Sequence, residues 1–270
     1  MRRQARKEVA PNEADRNPVR RNFDRAAATY DRFADVQGEV ARRLLDHLPA
    51  ADSALAQIVE LGCGTGKLTS RLRERYPSAR ITGIDFSPEM IKRAAARLQG
   101  DKVRFFCRDI REFLAGYAGS ADLIVSNATL QWIDELEPVF ASAREHLQKN
   151  GLLVFSIFGP DSLVELQEAL DAVMPGAARL AARSFKSEDR IAKLLKHHFT
   201  RVDNETMRIG REYADVVTLL RQIRKTGTGG AHQQPLRFSR QYLEAMNTWF
   251  KKRYGVCRAS YQVMFFRCRP

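Results

Sequence analysis

Residues 58–66 read Ile-Val-Glu-Leu-Gly-Cys-Gly-Thr-Gly, three glycines at alternate positions after a β-favouring run. The pattern predicts a buried strand turning sharply into a helix. Glycine is needed there because it adopts left-handed backbone without steric cost and lets a ligand approach bare peptide. The expected cradle is the set of peptide nitrogens near Gly64. A similar turn opens dinucleotide-binding folds, where the pattern is GxGxxG. Here Lys67 stands where the third glycine of that pattern belongs, which weakens the dinucleotide reading.

Asp85, nineteen residues past Gly66, ends a second apolar strand, Ile81–Asp85. An acid at this tip accepts two hydrogen bonds from a ribose diol. Ser87-Pro88-Glu89-Met90 opens a helix with a Ser cap, Pro at the first helical position and an acid in the first turn. Phe86 and Met90 then flank an adenine with aromatic and soft surface. A third strand, Val103–Cys107, leads to Asp109-Ile110, where Asp109 can accept from the adenine amine. A fourth, Asp122–Ser126, runs into Asn127, and a helix ending at Asn150-Gly151 precedes a fifth, Leu152–Ser156. Near-continuous apolar strands alternating with helices indicate a parallel sheet covered on both faces, with ligands beyond the carboxyl ends of its strands. Glu60, Gly62, Gly64, Gly66, Asp85, Phe86, Met90, Asp109, Ile110 and Asn127 gather at those ends and are the candidate nucleoside site.

The remainder organises around this core. Residues 1–20 read as a flexible basic tail and 21–270 as one domain. A short helix from Phe23 carries Tyr30 toward the ligand, and Val36–Leu48 is an amphipathic helix with Val36, Val40, Leu44 and Leu48 on one face. Helices are expected over 162–174, 187–198, 215–225 and 239–254, and a sixth strand over 201–208. The last strand, 259–267, is expected to run antiparallel between the fifth and sixth. Two insertions, roughly 160–185 and 211–256, are available as a helical lid.

The net charge of +13 is uneven: residues 26–200 balance, whereas 201–270 hold fourteen Lys/Arg against five Asp/Glu. Basic ends on a neutral core attract an acidic partner, nucleic acid or an anionic membrane. No run reaches the eighteen or more apolar residues of a membrane span. Cys63, Cys107, Cys257 and Cys268 lack metal-ligand or disulfide spacing, which fits reduced thiols in a cytoplasm. Cys63 and Cys107 are expected on buried elements.

Several strips occur together. They are Phe23-Asp24-x-x-Ala27-x-x-Tyr30-Asp31, Glu60–Gly66, Asp85-Phe86-Ser87-x-x-Met90 and Ser126-Asn127-x-x-Leu130-Gln131-Trp132. Phe158-Gly159-Pro160-Asp161-Ser162-Leu163-x-Glu165-Leu166 and Leu220-Arg221-x-Ile223-Arg224-x-Thr226-Gly227 complete the set. The whole, over about 20–268, resembles the malonyl-acyl carrier protein O-methyltransferases of biotin synthesis, within the class I S-adenosylmethionine (SAM) methyltransferases. His232-Gln233-Gln234 after Gly230 matches no fixed pattern of that family.

The resemblance implies an α/β, Rossmann-like, seven-stranded mostly parallel sheet with its last strand antiparallel. It also implies SAM as co-substrate, no metal, and a malonyl thioester on an acidic carrier protein or on coenzyme A as acceptor. A malonyl carboxylate is ionised at neutral pH, so no acid–base residue is assigned. Tyr30 and Trp132 are expected to wall the transfer point, and Arg221 or Arg224 to orient the carboxylate. A methyltransferase of small free acids shares the cofactor strip. An RNA methyltransferase is disfavoured because Asn127-Ala128-Thr129-Leu130 lacks the Pro-Pro-aromatic that pins a base. A SAM-binding regulator without turnover is the non-enzymatic alternative.

Overall fold

Seven strands form one sheet in the order β3-β2-β1-β4-β5-β7-β6. They are β1 (Gln57–Leu61), β2 (Arg80–Asp85), β3 (Val103–Cys107), β4 (Ala121–Asn127), β5 (Leu147–Phe158), β6 (Arg201–Tyr213) and β7 (Cys257–Arg269). The computed structural model describes residues 17–176, 179–229 and 238–270. The expected tail up to residue 16 and the His232–Gln234 loop lie outside the described residues. β1 to β5 are parallel, and β7 runs antiparallel to both β5 and β6. Strand order reverses between β1 and β4, so their carboxyl ends diverge into a crevice.

The strands alternate between two cores. Val59, Leu61, Ile84, Ile124, Leu153, Phe155 and Phe266 face α5 (Ile110–Ala115), α6 (Glu137–Glu145) and α8 (Glu188–Lys196). Ile58, Ile81, Leu123, Val125, Val154 and Phe265 face α2 (Asp35–Leu44) and α3 (Lys67–Arg75). Phe155 pairs with Phe266 across β5 and β7, and Phe140, Phe155 and Phe266 stack with centroids 5.6 and 5.0 Å apart. That apolar stack is what pins the antiparallel register of β7. The alternately charged β6 closes the edge, where charge discourages further pairing.

Several boundaries differ from the sequence reading. α6 ends at Glu145, and Leu147 already pairs with Ala121, while the next partners are Leu152 and Leu123. Asn150-Gly151 therefore sits in a bulge of β5 rather than stopping a helix; a Cβ on Gly151 would lie 3.0 Å from the Ala121 carbonyl oxygen. β6 continues to Tyr213 because its whole length pairs with β7. Ser187 occupies the cap position of α8 without a capping side-chain bond, and α8 stops at Lys196. Cys107 is exposed because β3 is the other edge strand; Cys63 is buried. Residues 17–20 belong to no flexible tail. α1 (Pro18–Phe33) begins there, with Pro18 at its first position and the Asn17 side chain accepting from the Val19 and Arg20 amides.

A third core joins α7 (Val164–Val173), α9 (Val216–Lys225) and α10 (Arg240–Tyr254) through Leu166, Leu170, Leu219, Met246 and Phe250. α9 then docks on α1. Gly227, at φ +71, lies so close that a Cβ would meet the Asn22 carbonyl oxygen at 3.0 Å. Gln222 donates to the Phe33 carbonyl and Asp35, and Arg211 pairs with Asp35 and Glu39. Among the described residues no helix is long and apolar enough to cross a membrane.

Gly227→Ala adds left-handed strain and a contact with α1 at once. A loss of about 1–2 kcal/mol is expected in urea denaturation, whereas the same change at Gly38, in open space, costs nothing measurable.

Candidate active site

The crevice beyond β1 and β4 is a cleft lined by the turn after β1, the tips of β2 and β4, and α1 and α2. Gly62, Gly64 and Gly66 all have positive φ, at 76°, 53° and 78°. A Cβ at Gly62 would strike the Thr129 side chain at 2.2 Å, and one at Gly66 would crowd Ala94 at 3.1 Å. A Cβ at Gly64 would meet nothing within 4 Å. Gly64 also lines the cleft, so the bare backbone there leaves room for a ligand.

The peptide nitrogens expected to cradle a ligand are already engaged. Gly62 and Cys63 donate to the Ile84 carbonyl oxygen at 2.7 and 2.9 Å, and Gly64 donates to Asp85 Oδ2 at 2.9 Å. The other Asp85 oxygen accepts from the Ser87 amide at 2.9 Å. A carboxylate has about four acceptor positions, so Asp85 keeps two for a diol. Burial raises its pKa to about 6. Glu60 is buried behind the turn and accepts from the Thr69 hydroxyl at 2.6 Å; burial raises it to about 8. In a chain with net charge +13 the cleft is walled by acids that resist ionising.

Of the other expected residues, Phe86, Met90, Ile110, Asp109 and Asn127 line the cleft. Asp109 is more committed than its position suggested. It caps α5 by accepting from the Arg111 amide and holds the Arg111 guanidinium, which lowers its pKa. Asn127 donates to the Gln37 carbonyl oxygen and accepts from Ser156 at 2.9 Å. Tyr30 and Trp132 also line the cleft, and burial moves the Tyr30 phenol up. Arg221 and Arg224 do not join them. Both are exposed on α9, whose inner face is spent on the α1 contact.

Two features of α1 went unread as site residues. Phe23 touches Tyr30, Phe86 and Trp132, with centroids 6.4, 6.2 and 5.9 Å away, and so forms the hub of the aromatic roof. Asp24 accepts from the Ser87 hydroxyl, and Asp31 accepts from Thr65 at 2.6 Å and pairs with Arg97 and Lys67. The seven-residue spacings Phe23/Tyr30 and Asp24/Asp31 are the signal: each pair falls on one face, two turns apart. Among the described residues no group of three or more His, Cys, Asp or Glu could hold a metal.

A family described as a methyltransferase domain matches residues 58–151. A malonyl-[acyl-carrier protein] O-methyltransferase of Geobacter sulfurreducens is 34% identical over 247 residues, 89% of this chain and 92% of that protein. The chain belongs to the malonyl-[acyl-carrier protein] O-methyltransferase family. A second member, from Acetivibrio thermocellus, is 30% identical over 94% of each chain. Two solved structures share the fold. Phosphoethanolamine N-methyltransferase 2 of Haemonchus contortus, in complex with S-adenosyl-L-methionine, has a TM-score of 0.57 at 15% identity, covering 98% of this chain and 61% of that one. NodS of Bradyrhizobium japonicum, an N-methyltransferase in complex with S-adenosyl-L-homocysteine, has a TM-score of 0.54 at 19% identity, covering 94% and 100%.

Because Glu60 is raised from 4.5 to about 8 in the folded protein, the native state holds a proton there that the unfolded chain releases. Its contribution to stability is therefore fully present below about pH 4.5 and falls as pH rises toward about 8, by at most about 1.4 kcal/mol per pH unit. Glu60→Gln should remove that slope from the ligand-free protein, as read by denaturation at pH 5 to 8.

Proposed function

We propose that this chain transfers a methyl group from SAM to the free carboxylate of a malonyl thioester carried by acyl carrier protein, as the names of its relatives imply. The observation that carries the cofactor assignment is the acid-walled cleft beside Gly64. A pyrophosphate would oppose the ionisation of Glu60 and Asp85 still further, whereas a nucleoside bearing a sulfonium and an ammonium favours their ionised forms and is held by them. Asp85 would take the ribose diol, Phe86, Met90 and Ile110 the adenine faces, and Glu60 the cationic end. Asp109 and Asn127 position the loops that close around it.

When bound, SAM supplies a sulfonium methyl that a malonyl carboxylate oxygen accepts, the S–CH3 bond breaking with its electron pair kept on sulfur. No proton moves, so the chain needs no acid or base. Its own residues bind, align and exclude water. Tyr30 and Trp132, held by Phe23, wall the place of transfer, and a phenol that resists ionising adds no competing anion there. The helices of the two insertions form the cover, with α9 holding α1 over the cleft.

The partner follows from charge. Arg21 and Arg25 of α1 and Arg221 and Arg224 of α9 are exposed on two helices that pack together. They support the docking of an acidic carrier protein rather than contact with its carboxylate. A carrier-protein acceptor and four cysteines outside any disulfide support a cytoplasmic reaction.

Three outcomes are expected. Turnover of labelled SAM should occur with malonyl-carrier protein and not with tRNA or with small free acids; absence of turnover with the carrier protein overturns the proposal. Gly64→Val should abolish SAM uptake in calorimetry; it should also lower the thermal midpoint of the free protein through left-handed backbone strain at φ 53°, while the side chain itself enters open space and leaves unfolding cooperative. Reversing Arg221 and Arg224 to Glu should lower kcat/KM for malonyl-carrier protein by about tenfold at low salt and leave malonyl-pantetheine unaffected.

A further inference from the structure

A second cavity, of about 580 Å³, adjoins the cofactor cleft. Asn17, Trp132, Ile133 and Asp134 line both, so Trp132 stands in the partition between them. The second cavity has apolar walls from Leu130, Leu136, Ile157 and Phe185. Its volume is within the usual range for a site that buries a small organic ligand.

Three of the residues that line it carry polar groups that bear on a ligand. The Trp132 indole N–H and the Gln131 Oε1 are buried with no hydrogen-bond partner. Leaving a buried donor or acceptor unpaired is costly, so such atoms call for a ligand that pairs with them. The third is the Lys186 ammonium, which donates to the Asp134 carbonyl oxygen. Among the described residues no carboxylate comes within salt-bridge distance of it. Because Asp134 belongs to both cavities, this bond brings the lysine's charge to their junction. An anion is what an uncompensated cation beside an unpaired N–H would bind.

We propose that the second cavity receives the malonyl thioester, its carboxylate held at the junction by the Lys186 ammonium and the Trp132 indole N–H and its thioester arm lying along the apolar wall. This rests on the methyltransferase reading above and deepens it. The Gln131 carbonyl oxygen serves the amide N–H groups of the arm. Lysine fits the chemistry because a compact ammonium grips one carboxylate oxygen and leaves the other free to attack, whereas a bidentate guanidinium would hold both. The other nearby cations are spent or outside: Arg111 is paired to Asp109 and Lys67 to Asp31, Arg183 donates to the Ser162 carbonyl oxygen and lines neither cavity, and Arg221 and Arg224 line neither. Selection of malonyl over an uncharged acyl group then follows from burying a cation that only the malonyl carboxylate neutralises.

The test compares wild type, Lys186→Met, Lys186→Arg and Ser184→Trp, the last at an exposed position on the cavity wall. Each is assayed with malonyl-carrier protein and with malonyl-CoA. S-adenosylhomocysteine affinity, and calorimetric binding of malonyl-CoA to the homocysteine-nucleoside complex, are measured in parallel. Lys186→Met is expected to raise KM for both thioesters by about 10- to 100-fold and to weaken malonyl-CoA binding equally. S-adenosylhomocysteine affinity should stay within about twofold, and Lys186→Arg should recover most of the binding. Ser184→Trp is expected to raise KM by obstruction without altering the nucleoside affinity, and it decides the matter if Lys186→Met does not fold. Unchanged KM and unchanged malonyl-CoA binding in Lys186→Met or Ser184→Trp, with an active wild type, overturn this inference alone. A wild type inert toward both malonyl thioesters overturns the functional reading itself.

Discussion

The cleft depends on the Asp85 carboxylate. One oxygen holds the Gly64 amide and the other the Ser87 amide, so a single buried side chain at the tip of β2 fixes both the glycine turn after β1 and the start of α4 (Pro88–Arg97). The glycines permit the turn; Asp85 gives it one conformation. The cost is a carboxylate that burial pushes toward the protonated form, and a cationic ligand offsets that cost. Structure and specificity thus rest on the same charge.

Over this base lies α1, held by a pair of acids and a pair of aromatics, each repeating at seven residues. Asp24 and Asp31 reach the loops after β2 and β1, while Phe23 gathers Tyr30, Phe86 and Trp132 into one roof. The basic stretch Leu220–Gly227 acquires a structural meaning from this arrangement. Gln222, Thr226 and Gly227 serve the contact with α1 and the end of α9, which turns Arg221 and Arg224 outward. The strip whose arginines were expected to orient a carboxylate is built to hold the roof, and those arginines are exposed.

The parallel half of the sheet was readable residue by residue. β1 to β4 fall where their apolar runs fall, and Glu60, Asp85, Asp109 and Asn127 reach the strand tips, because a buried parallel strand needs a continuous apolar run and ends where polar groups begin. The Asn150-Gly151 pair misled because Asn-Gly marks any sharp departure of the backbone, and pairing with β4 made it a bulge. Cys107 misled because an apolar run does not reveal whether its strand is central or at an edge.

What the sequence by itself determined is local: where strands stop, where backbone must turn left-handed, and which acids stand beside those turns. Such features depend on a few consecutive residues and their intrinsic φ/ψ and burial preferences. Tertiary structure decided which of these groups remain available to a ligand. It engaged the Gly62–Gly64 nitrogens, spent Asp109 on Arg111, turned the α9 arginines to solvent and brought Lys186 to Asp134, more than fifty residues earlier in the chain. Partnership between distant groups is set by packing of whole elements, which no short window of sequence contains.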